Sequence, residues 1–110
     1  MLKTRRNLSV GAIRRIRKEM GEEDDRLSRV FNALGDPRRF KIFKILTEER
    51  GICVSEIAKV FGISVPAASQ QLRVLEGAGL IRGERMGQNI CYQVKDPGPE
   101  ARSILKMIQS

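Results

Sequence analysis

A very short connection between two amphipathic helices restricts the fold of this chain more than any other sequence feature. The segment SEIAKVFG carries its apolar residues at helical spacing and is stopped by Gly62. Ser64 follows as the N-cap of the next helix, with Pro66 in its first turn, and Gly79 ends that helix. The turn Gly62–Ser64 leaves little chain between the two helices, so the sequence predicts a closely packed helical pair.

The second helix of this pair separates apolar from polar side chains. With about 100° of rotation per residue, its predicted buried stripe consists of Val65, Ala68, Leu72 and Leu75. Opposite the stripe fall Pro66, Gln70 and Arg73, and its flanks are Ser69 and Gln71. None of these polar side chains has a catalytic setting, so the purpose of the helix must come from its surroundings.

Three more helices are predicted before the pair. The first runs from about Ser9 to Met20, with Ile13 and Ile16 on one face and basic residues on the rest. The second lies within EEDDRLSRVFNALG, and its predicted apolar face is Leu27, Val30, Phe31 and Leu34. The third begins with Asp36 as N-cap and Pro37 in the first helical position. Its apolar side chains place it at the centre of the core.

Strand signals surround the pair. A short apolar piece, ICV, precedes it, and two alternating segments, LIRGERM and NICYQVK, follow around a polar turn. The two alternating segments predict a β-hairpin with a basic tip. The chain then continues into a loop and a terminal helix that begins near Pro99, with Ala101, Ile104, Leu105 and Ile108 on its apolar face.

Composition narrows the class of partner. A chain of 110 residues is expected to form one domain, and its formal net charge of +8 suggests a polyanionic partner. Nucleic acid, an anionic membrane surface and simple solubility charge remain open on charge alone. We expect no membrane span, no secretory signal and no disulfide framework from two cysteines, and therefore a cytoplasmic protein.

Among these partners, the order of the predicted elements favours nucleic acid. Three helices, the last two joined by a tight turn and followed by a β-hairpin, form the plan of a winged helix-turn-helix. In that plan one helix enters the major groove of DNA while the hairpin reaches phosphates or the minor groove. Glutamine can bond both N6 and N7 of adenine, and arginine O6 and N7 of guanine. Gln70 and its neighbours on the helix therefore suit the reading of bases.

The residues also resemble those of the ArsR-type (arsenical-resistance) winged-helix repressors, from Leu27 to Lys95. FNALGDPRRFKIFKIL resembles the family segment LSDPTRLRIL, and the stretch from Gly51 to Ile81 resembles ELCVCDLA…LSQPTVSHHLKVLREAGLV. NICYQV resembles the family's last wing strand. The resemblance implies a mainly α fold with a small β-hairpin wing, assembled as a helical homodimer. It implies operator binding and repression.

Site residues follow from this resemblance. Ser64, Ser69, Gln70 and Gln71 match the recognition-helix motif, whereas Val65 stands where glutamine is common and Gln71 where histidine is frequent. The predicted DNA-contacting set in recognition helix 64–78 and wing 80–95 is Ser64, Val65, Ala67, Ser69, Gln70, Gln71, Arg73, Arg82, Arg85 and Gln88. The arginines and Lys95 are expected to meet phosphates. The predicted dimer interface is Leu8, Ile13, Ile16, Ile104, Leu105 and Ile108, with a core-capping role for these helices as the alternative.

The usual sensor of this family does not fit the chain. Its metal sites need a C-x-C pair or Asp and His on the terminal helix, but here Ser55 stands where Cys53 would need a second cysteine, and histidine is absent. We predict no metal site and no cofactor. Cys53 and Cys91 would be neighbours if the short strand pairs with the last wing strand, either as a redox pair or as two small buried side chains.

Two other classes of function stay open beside a sequence-specific homodimeric repressor. A non-specific architectural protein would show the same charge without a preferred sequence. A winged-helix protein-interaction module would not bind DNA. An enzyme is not expected, and no small-molecule substrate is identified. We expect residues 1–7 to form a flexible basic arm, whose Lys3–Arg6 stretch meets DNA, and residues 8–110 to form the domain.

Overall fold

The helices and strands of the protein follow the predicted order. Its structure, a computed structural model, describes residues 7–96 and 98–109. Within these ranges the elements are α1 (Val10–Gly21), α2 (Arg26–Leu34), α3 (Pro37–Glu48), β1 (Ile52–Cys53), α4 (Val54–Phe61), α5 (Val65–Gly77), β2 (Ile81–Met86), β3 (Asn89–Val94) and α6 (Pro99–Gln109). Residues 1–6, which make up nearly all of the predicted basic arm, lie outside the described residues.

Side-chain caps fix where the central helices begin. The Asp36 carboxylate accepts a hydrogen bond from the backbone N–H of Arg39 at 2.9 Å, with Pro37 in the first turn of α3. The Ser64 hydroxyl accepts one from the backbone N–H of Ala67 at 3.2 Å at the start of α5. Each cap satisfies a donor that the first turn of a helix leaves free. Both predicted N-caps are confirmed.

The wing is part of a three-stranded antiparallel sheet in the order β1-β3-β2. In the hairpin, Ile81 pairs with Val94 and Met86 with Asn89. The short strand β1 adds to the other edge of β3, and Cys53 lies opposite Cys91. The predicted hairpin and the predicted pairing of the short strand with the last wing strand are therefore both present.

One apolar core joins α2 to α5 with the sheet. Its fully buried side chains come from helices α3, α4 and α5, from the start of the first wing strand and from the residue before it, and they are Ile42, Phe43, Ile57, Ala68, Leu72, Leu75, Leu80 and Ile81. No polar or charged side chain is buried among the residues that the structure describes. Burial of about 1.5–3 kcal/mol per large apolar side chain is the main term that holds these helices together.

The apolar face of α2 is turned from its predicted direction. Val30 and Ala33 are buried, whereas Phe31 is 56% exposed and Leu27 is also exposed. Residues at the i, i+3, i+4 and i+7 positions cover a wide face of a helix, and either side of that face can pack against the core. The packing selects the stripe that contains Val30 and Ala33, so Leu27 and Phe31, which belong to the predicted apolar face, stay at the surface.

The terminal helices differ in their packing. In α6, Ile104, Leu105 and Ile108 are half-buried and pack against the core of their own subunit. In α1, which begins at the Ser9 cap, no residue is buried. The molecule measures 60 × 29 × 24 Å and its radius of gyration is 18.8 Å. A compact domain of this length has a radius of gyration of about 13 Å, so the chain is extended well beyond one packed body.

Across residues 7–96 and 98–109, no helix combines the length and the apolar content that would be needed to cross a membrane.

Candidate nucleic-acid interface

A left-handed residue sets the angle between α4 and α5. Gly62 has φ of +62° and ends α4, a conformation that residues with a Cβ seldom adopt. The next residue, Ile63, returns its backbone N–H to the carbonyl of Ala58 at 3.0 Å. These bonds close the end of α4 and turn the chain at once into the Ser64 cap of α5. The predicted stop at Gly62 and start at Ser64 are confirmed.

The buried stripe of α5 is shorter than predicted. Ala68, Leu72 and Leu75 are completely buried, but Val65 is 46% exposed. Val65 stands in the first turn, directly after the cap, where the helix extends beyond the packed body. The prediction that Val65 is buried was wrong. Its exposure instead leaves an apolar surface at the start of the helix, where the predicted base contacts lie.

The remaining side chains of α5 form a polar surface. Gln70 and Arg73 are exposed, and Ala67, Ser69 and Gln71 are half-buried. Within the described part of the chain, the side chain of Gln70 makes no hydrogen bond, so its amide can both donate to a ligand and accept from it. The structure therefore brings the predicted recognition residues onto one exposed helix.

The side chain of Gln71 is held by Arg39, a residue that no sequence pattern indicated. The guanidinium of Arg39 donates a hydrogen bond from its terminal nitrogen to Oε1 of Gln71 at 3.1 Å. The same guanidinium donates to the carbonyl oxygens of Ala33 at 2.7 Å and Asn32 at 3.2 Å, at the end of α2. Arg39 thus joins α2, α3 and α5. Helical periodicity carries no signal for this bond, because the two residues are distant in sequence.

The basic residues of the wing are exposed but do not share one face. Arg85 pairs with Ile90 and Arg82 with Gln93. Residues that pair in an antiparallel ladder share a face, and successive residues alternate. Arg85 therefore lies on the face of Tyr92, which meets the core, and Arg82 on the opposite face. Gln88 and Lys95, near the two ends of β3, are exposed as well.

A second contact outside the predicted set connects the recognition helix to the wing. The carboxylate of Glu76, near the end of α5, accepts a hydrogen bond from the backbone N–H of Gly83 at 3.2 Å. A Cβ at Gly83 would lie 2.8 Å from Cε1 of Tyr92, so the aromatic ring covers this strand position. Gly83 therefore has a packing role that a count of glycines in the hairpin could not reveal.

Tyr92 is buried beside this contact. Burial raises the pKa of the Tyr92 phenol above its ordinary value, the nearby Glu76 carboxylate raises it further, and Arg73 lowers it. The phenol is thus neutral over the whole physiological range. The neutral ring packs between the end of α5 and the wing.

The two cysteines lie where the helical pair meets the sheet. Cys53 and Cys91 occupy directly opposed positions in β1 and β3, with Cα atoms 3.7 Å apart, and are joined by a disulfide. Cys53 is also the residue before α4, and its backbone N–H donates to Oε1 of Glu56 at 2.9 Å. The bond therefore connects the start of the helical pair to the inner strand of the wing.

A metal does not fit the donor set. The chain has no histidine and two cysteines, Cys53 and Cys91. Over the ranges that the structure covers, no three His, Cys, Asp or Glu side chains come together in a way that could hold a metal ion. A soft or borderline metal requires several sulfur or nitrogen ligands. No regulatory step is therefore assigned to a metal.

The fold and this surface define the class of protein. A capped helix with a polar outer face follows a tight turn and adjoins a basic antiparallel hairpin, which is the arrangement of a winged helix-turn-helix protein. The family model of bacterial regulatory proteins of the arsR family matches residues 36–82. The chain belongs to this arsR family of transcriptional regulators, whose winged helix-turn-helix domain binds DNA.

Known relatives agree with the assignment. The chain is 30% identical to the transcriptional repressor SmtB homolog of Synechocystis, over 76% of this chain and 64% of that protein. It is 37% identical to the transcriptional repressor SdpR of Bacillus subtilis, over 62% of this chain and 74% of that one. A solved homodimeric winged helix-turn-helix DNA-binding domain from Mycobacterium bovis, a possible ArsR-family regulator, is 28% identical, with a TM-score of 0.66 over 84% of this chain and 82% of that one.

Proposed function

We propose that this protein is a sequence-specific transcriptional repressor that binds a palindromic operator as a homodimer. The observation that carries the proposal is the exposed polar face of α5, with Gln70 and Arg73 opposite a fully buried stripe and beside the basic wing. The buried stripe fixes the helix on the protein, and the exposed polar face can enter the major groove. Repression is supported by relatives that are themselves repressors.

Base reading falls to the first half of α5. The free amide of Gln70 can bond N6 and N7 of adenine, and the exposed Val65 can contact a thymine methyl group. Ser64, Ala67 and Ser69 lie at the same end of the helix. This end of a recognition helix normally meets the base edges, since it points into the groove.

Phosphate contacts fall to the surrounding cations. Arg73 lies on the exposed face of α5, and Arg82, Arg85 and Lys95 are exposed on the wing, with Gln88 at its tip. Contacts of this kind position the protein without reading sequence. The predicted Lys3–Arg6 arm would add to them, and these residues lie outside the described residues. We also propose a cytoplasmic location, which fits a regulator that binds DNA.

A second copy of the chain is the occupant we assign to the apolar face of α1. Leu8 and Ile13 are exposed, Ile16 is only half-buried, and the helix buries no residue of its own. The extended shape of the chain, with a radius of gyration of 18.8 Å, fits an arm that packs on another subunit. Ile104, Leu105 and Ile108 of α6 are the other predicted interface residues; they are half-buried and pack against the core of their own subunit, and we propose that their exposed parts join the same interface.

The test is selection of the purified protein on a random duplex library at physiological salt in reducing buffer. Enrichment of a palindrome with half-sites about one helical turn apart would support a dimeric sequence reader. Strong, salt-sensitive binding without an enriched motif would favour the architectural class instead. Absence of binding would favour the protein-interaction module.

Thiol redox chemistry is the regulation that the fold supports. Two reduced thiols at Cys53 and Cys91 would be oxidised by hydrogen peroxide, which forms the S–S bond and leaves two molecules of water. The bond ties the start of α4 to β3 and so constrains the wing relative to the helical pair. Without it, β1 and β3 are joined by their ladder hydrogen bonds and by packing on the core, and the wing is freer to move.

Operator affinity measured in dithiothreitol and after peroxide treatment would test this regulation. We expect the two forms to differ at least several-fold, and Cys53→Ser and Cys91→Ser variants to lose the difference. Thiols that stay unreactive and never link, or equal affinities of the two forms, would refute a redox role and leave the operator-binding proposal intact.

A further inference from the structure

We propose that a cavity between the end of α3 and the last wing strand binds a free aliphatic α-amino acid. The cavity has a volume of about 400 Å³ and is lined by Leu46, Thr47, Arg50, Gln93 and Val94. A volume of this size is typical of sites for small ligands. None of the five residues belongs to the predicted DNA-contacting set, so the inference goes beyond the proposed function.

The cavity forms where one edge of β3 loses its neighbouring strand. Ile52 of β1 pairs with Tyr92, and an antiparallel ladder continued from this pair would place Arg50 opposite Val94. The strand β1 nevertheless begins only at Ile52, because Gly51, with φ of +67°, departs from extended geometry. Arg50 therefore lines the cavity instead of pairing with Val94.

The backbone N–H and C=O of Val94 are directed to this open edge. The backbone N–H of Lys95 donates to the carbonyl of Leu80 at 3.0 Å, on the β2 side of β3. Successive residues of a strand direct their backbone groups to opposite edges, so those of Val94 point to the β1 side. The N–H of Gly83 in β2 is directed away from β3 to Glu76, as the same alternation requires. One donor and one acceptor of Val94 thus lie at the cavity beyond the end of β1.

A cation and further acceptors complete the lining. Arg50 forms neither an ion pair nor a side-chain hydrogen bond with any residue that the structure describes, and its guanidinium has only donors. The Thr47 hydroxyl donates to the carbonyl of Lys44 at 2.6 Å, which leaves its oxygen able to accept. In the last turn of α3, the carbonyls of Leu46 and Thr47 have no partner among the described residues.

These two sets of groups match the two charges of an amino acid. The N–H of Val94 and the guanidinium of Arg50 are donors for a carboxylate, and charge-assisted bonds of this kind are shorter and stronger than neutral ones. The carbonyl of Val94, the Thr47 hydroxyl and the last carbonyls of α3 are acceptors for an ammonium group. The negative end of the α3 dipole also favours a cation there. Water can satisfy each group separately, whereas a zwitterion satisfies both sets at once.

The surroundings disfavour other small ligands. A dianion such as phosphate would meet a single cation, the carbonyl end of α3 and the exposed carboxylates of Glu48 and Glu49, which are adjacent to the lining residues in sequence. A cation alone would leave Arg50 without an anion. Leu46 and Val94 are the apolar side chains of the lining, so an aliphatic amino acid fits the cavity better than a polar one.

The experiment is a titration of the isotope-labelled full chain with L-leucine, followed by the chemical shifts of backbone amides. Two analogues are the controls for the ligand, since isocaproate lacks the ammonium group and isoamylamine lacks the carboxylate. Arg50→Gln removes the cation from the cavity. Arg38→Gln is the matched control for the protein, because it removes the same charge from an exposed position at the opposite end of α3.

We expect L-leucine to shift the amide signals of Val94 and Arg50 to saturation. Both analogues should bind more weakly by a factor on the order of tenfold, the value of one charge-assisted hydrogen bond. Arg50→Gln should weaken L-leucine binding by a similar factor, and Arg38→Gln should leave it unchanged. Unshifted signals at millimolar L-leucine, an analogue that binds as tightly as L-leucine, or native affinity in Arg50→Gln would each overturn the inference. These outcomes involve no DNA, so the operator-binding proposal stands or falls separately.

Discussion

The carboxylate of Glu76 and the backbone N–H of Gly83 lie 3.2 Å apart and form a hydrogen bond between the recognition helix and the wing. The bond spans two elements that must meet DNA together. It also uses a backbone donor, which holds its position more firmly than a long side chain would. The side chain of Glu76 therefore adds a direct hydrogen bond to the core packing that holds the wing against α5.

Replacing Glu76 by alanine should loosen the wing and weaken DNA binding by a few-fold. The cost to folding should be small, about 0.5–1 kcal/mol, because the carboxylate is exposed and water replaces the lost bond. Fluorescence anisotropy with a selected operator and urea unfolding would measure the two effects. Glu76→Gln keeps an acceptor oxygen and should behave like the native protein; equal losses in both variants would contradict a role for this bond.

Replacing Gly83 by alanine should destabilise the fold by roughly 1–3 kcal/mol, because overpacking forces side chains to shift. The new Cβ would lie 2.8 Å from Cε1 of Tyr92 and 3.2 Å from Cγ2 of Ile90. Gly77→Ala is the matched control, since nothing lies within 4 Å of the Cβ added there. Urea midpoints should fall for Gly83→Ala and stay level or rise for Gly77→Ala. A native midpoint for Gly83→Ala would show that the ring moves freely.

Alkaline pH should destabilise the protein through Tyr92. Burial and then Glu76 raise its pKa above the ordinary value of 10.0, so the folded state retains the phenolic proton where the unfolded state has begun to lose it. This stabilisation is fully present below the pKa of the unfolded chain, near 10.0, and is lost as pH rises through the folded pKa. The urea midpoint of the native protein should therefore fall when the pH is raised from neutral to values above the folded pKa of Tyr92. In Tyr92→Phe the fall should be smaller; an identical fall would assign it to other groups.

Oxidation of Cys53 and Cys91 should raise stability. The linked residues are separated by 38 positions, and closing a loop of that size in the unfolded chain stabilises the folded state by about 2–4 kcal/mol. Urea unfolding with and without dithiothreitol would measure the difference. Cys53→Ala should abolish this difference in stability. A native protein whose urea midpoint is the same with and without dithiothreitol would contradict the prediction.

Removing a wing cation should lower the salt dependence of operator binding. Each phosphate contact contributes about 0.9 to the slope of log K against log salt concentration. Because the proposed dimer carries two copies of each side chain, Arg85→Gln and Arg82→Gln should each reduce the slope by about 2 if both copies reach phosphates. Arg102→Gln, whose guanidinium is paired with Asp96 at 3.1 Å on the terminal segment, serves as the control. An unchanged slope for a wing variant would remove that residue from the interface.

Local signals predicted most of the architecture. Ser64 and Asp36 act as caps because their short side chains reach a backbone N–H in the next turn, which is a property of adjacent residues. Gly62 ends α4 for an equally local reason. The pairing of β1 with β3 was predicted from the plan of the fold, once the helical pair and the hairpin had been recognised.

What the sequence did not reveal depends on how helices are oriented in space. Phe31 is exposed because the core selects one of two possible stripes on α2, a choice made by the neighbouring helices. The bonds from Arg39 to Gln71 and from Gly83 to Glu76 arise only after separate elements have packed. A single sequence gives the elements and their caps, but such contacts between distant residues require their relative orientation.

The first helix has a consequence for how the chain becomes ordered. A helix as short as α1 is marginal in water when it stands alone, because nucleation costs more than a few turns return. Since α1 buries none of its residues against its own subunit, its helical content should depend on association. Dilution would then melt α1 before it unfolds the core. Subunit encounter and the folding of this helix would be one thermodynamic event, with a negative heat-capacity change from the apolar surface that it buries.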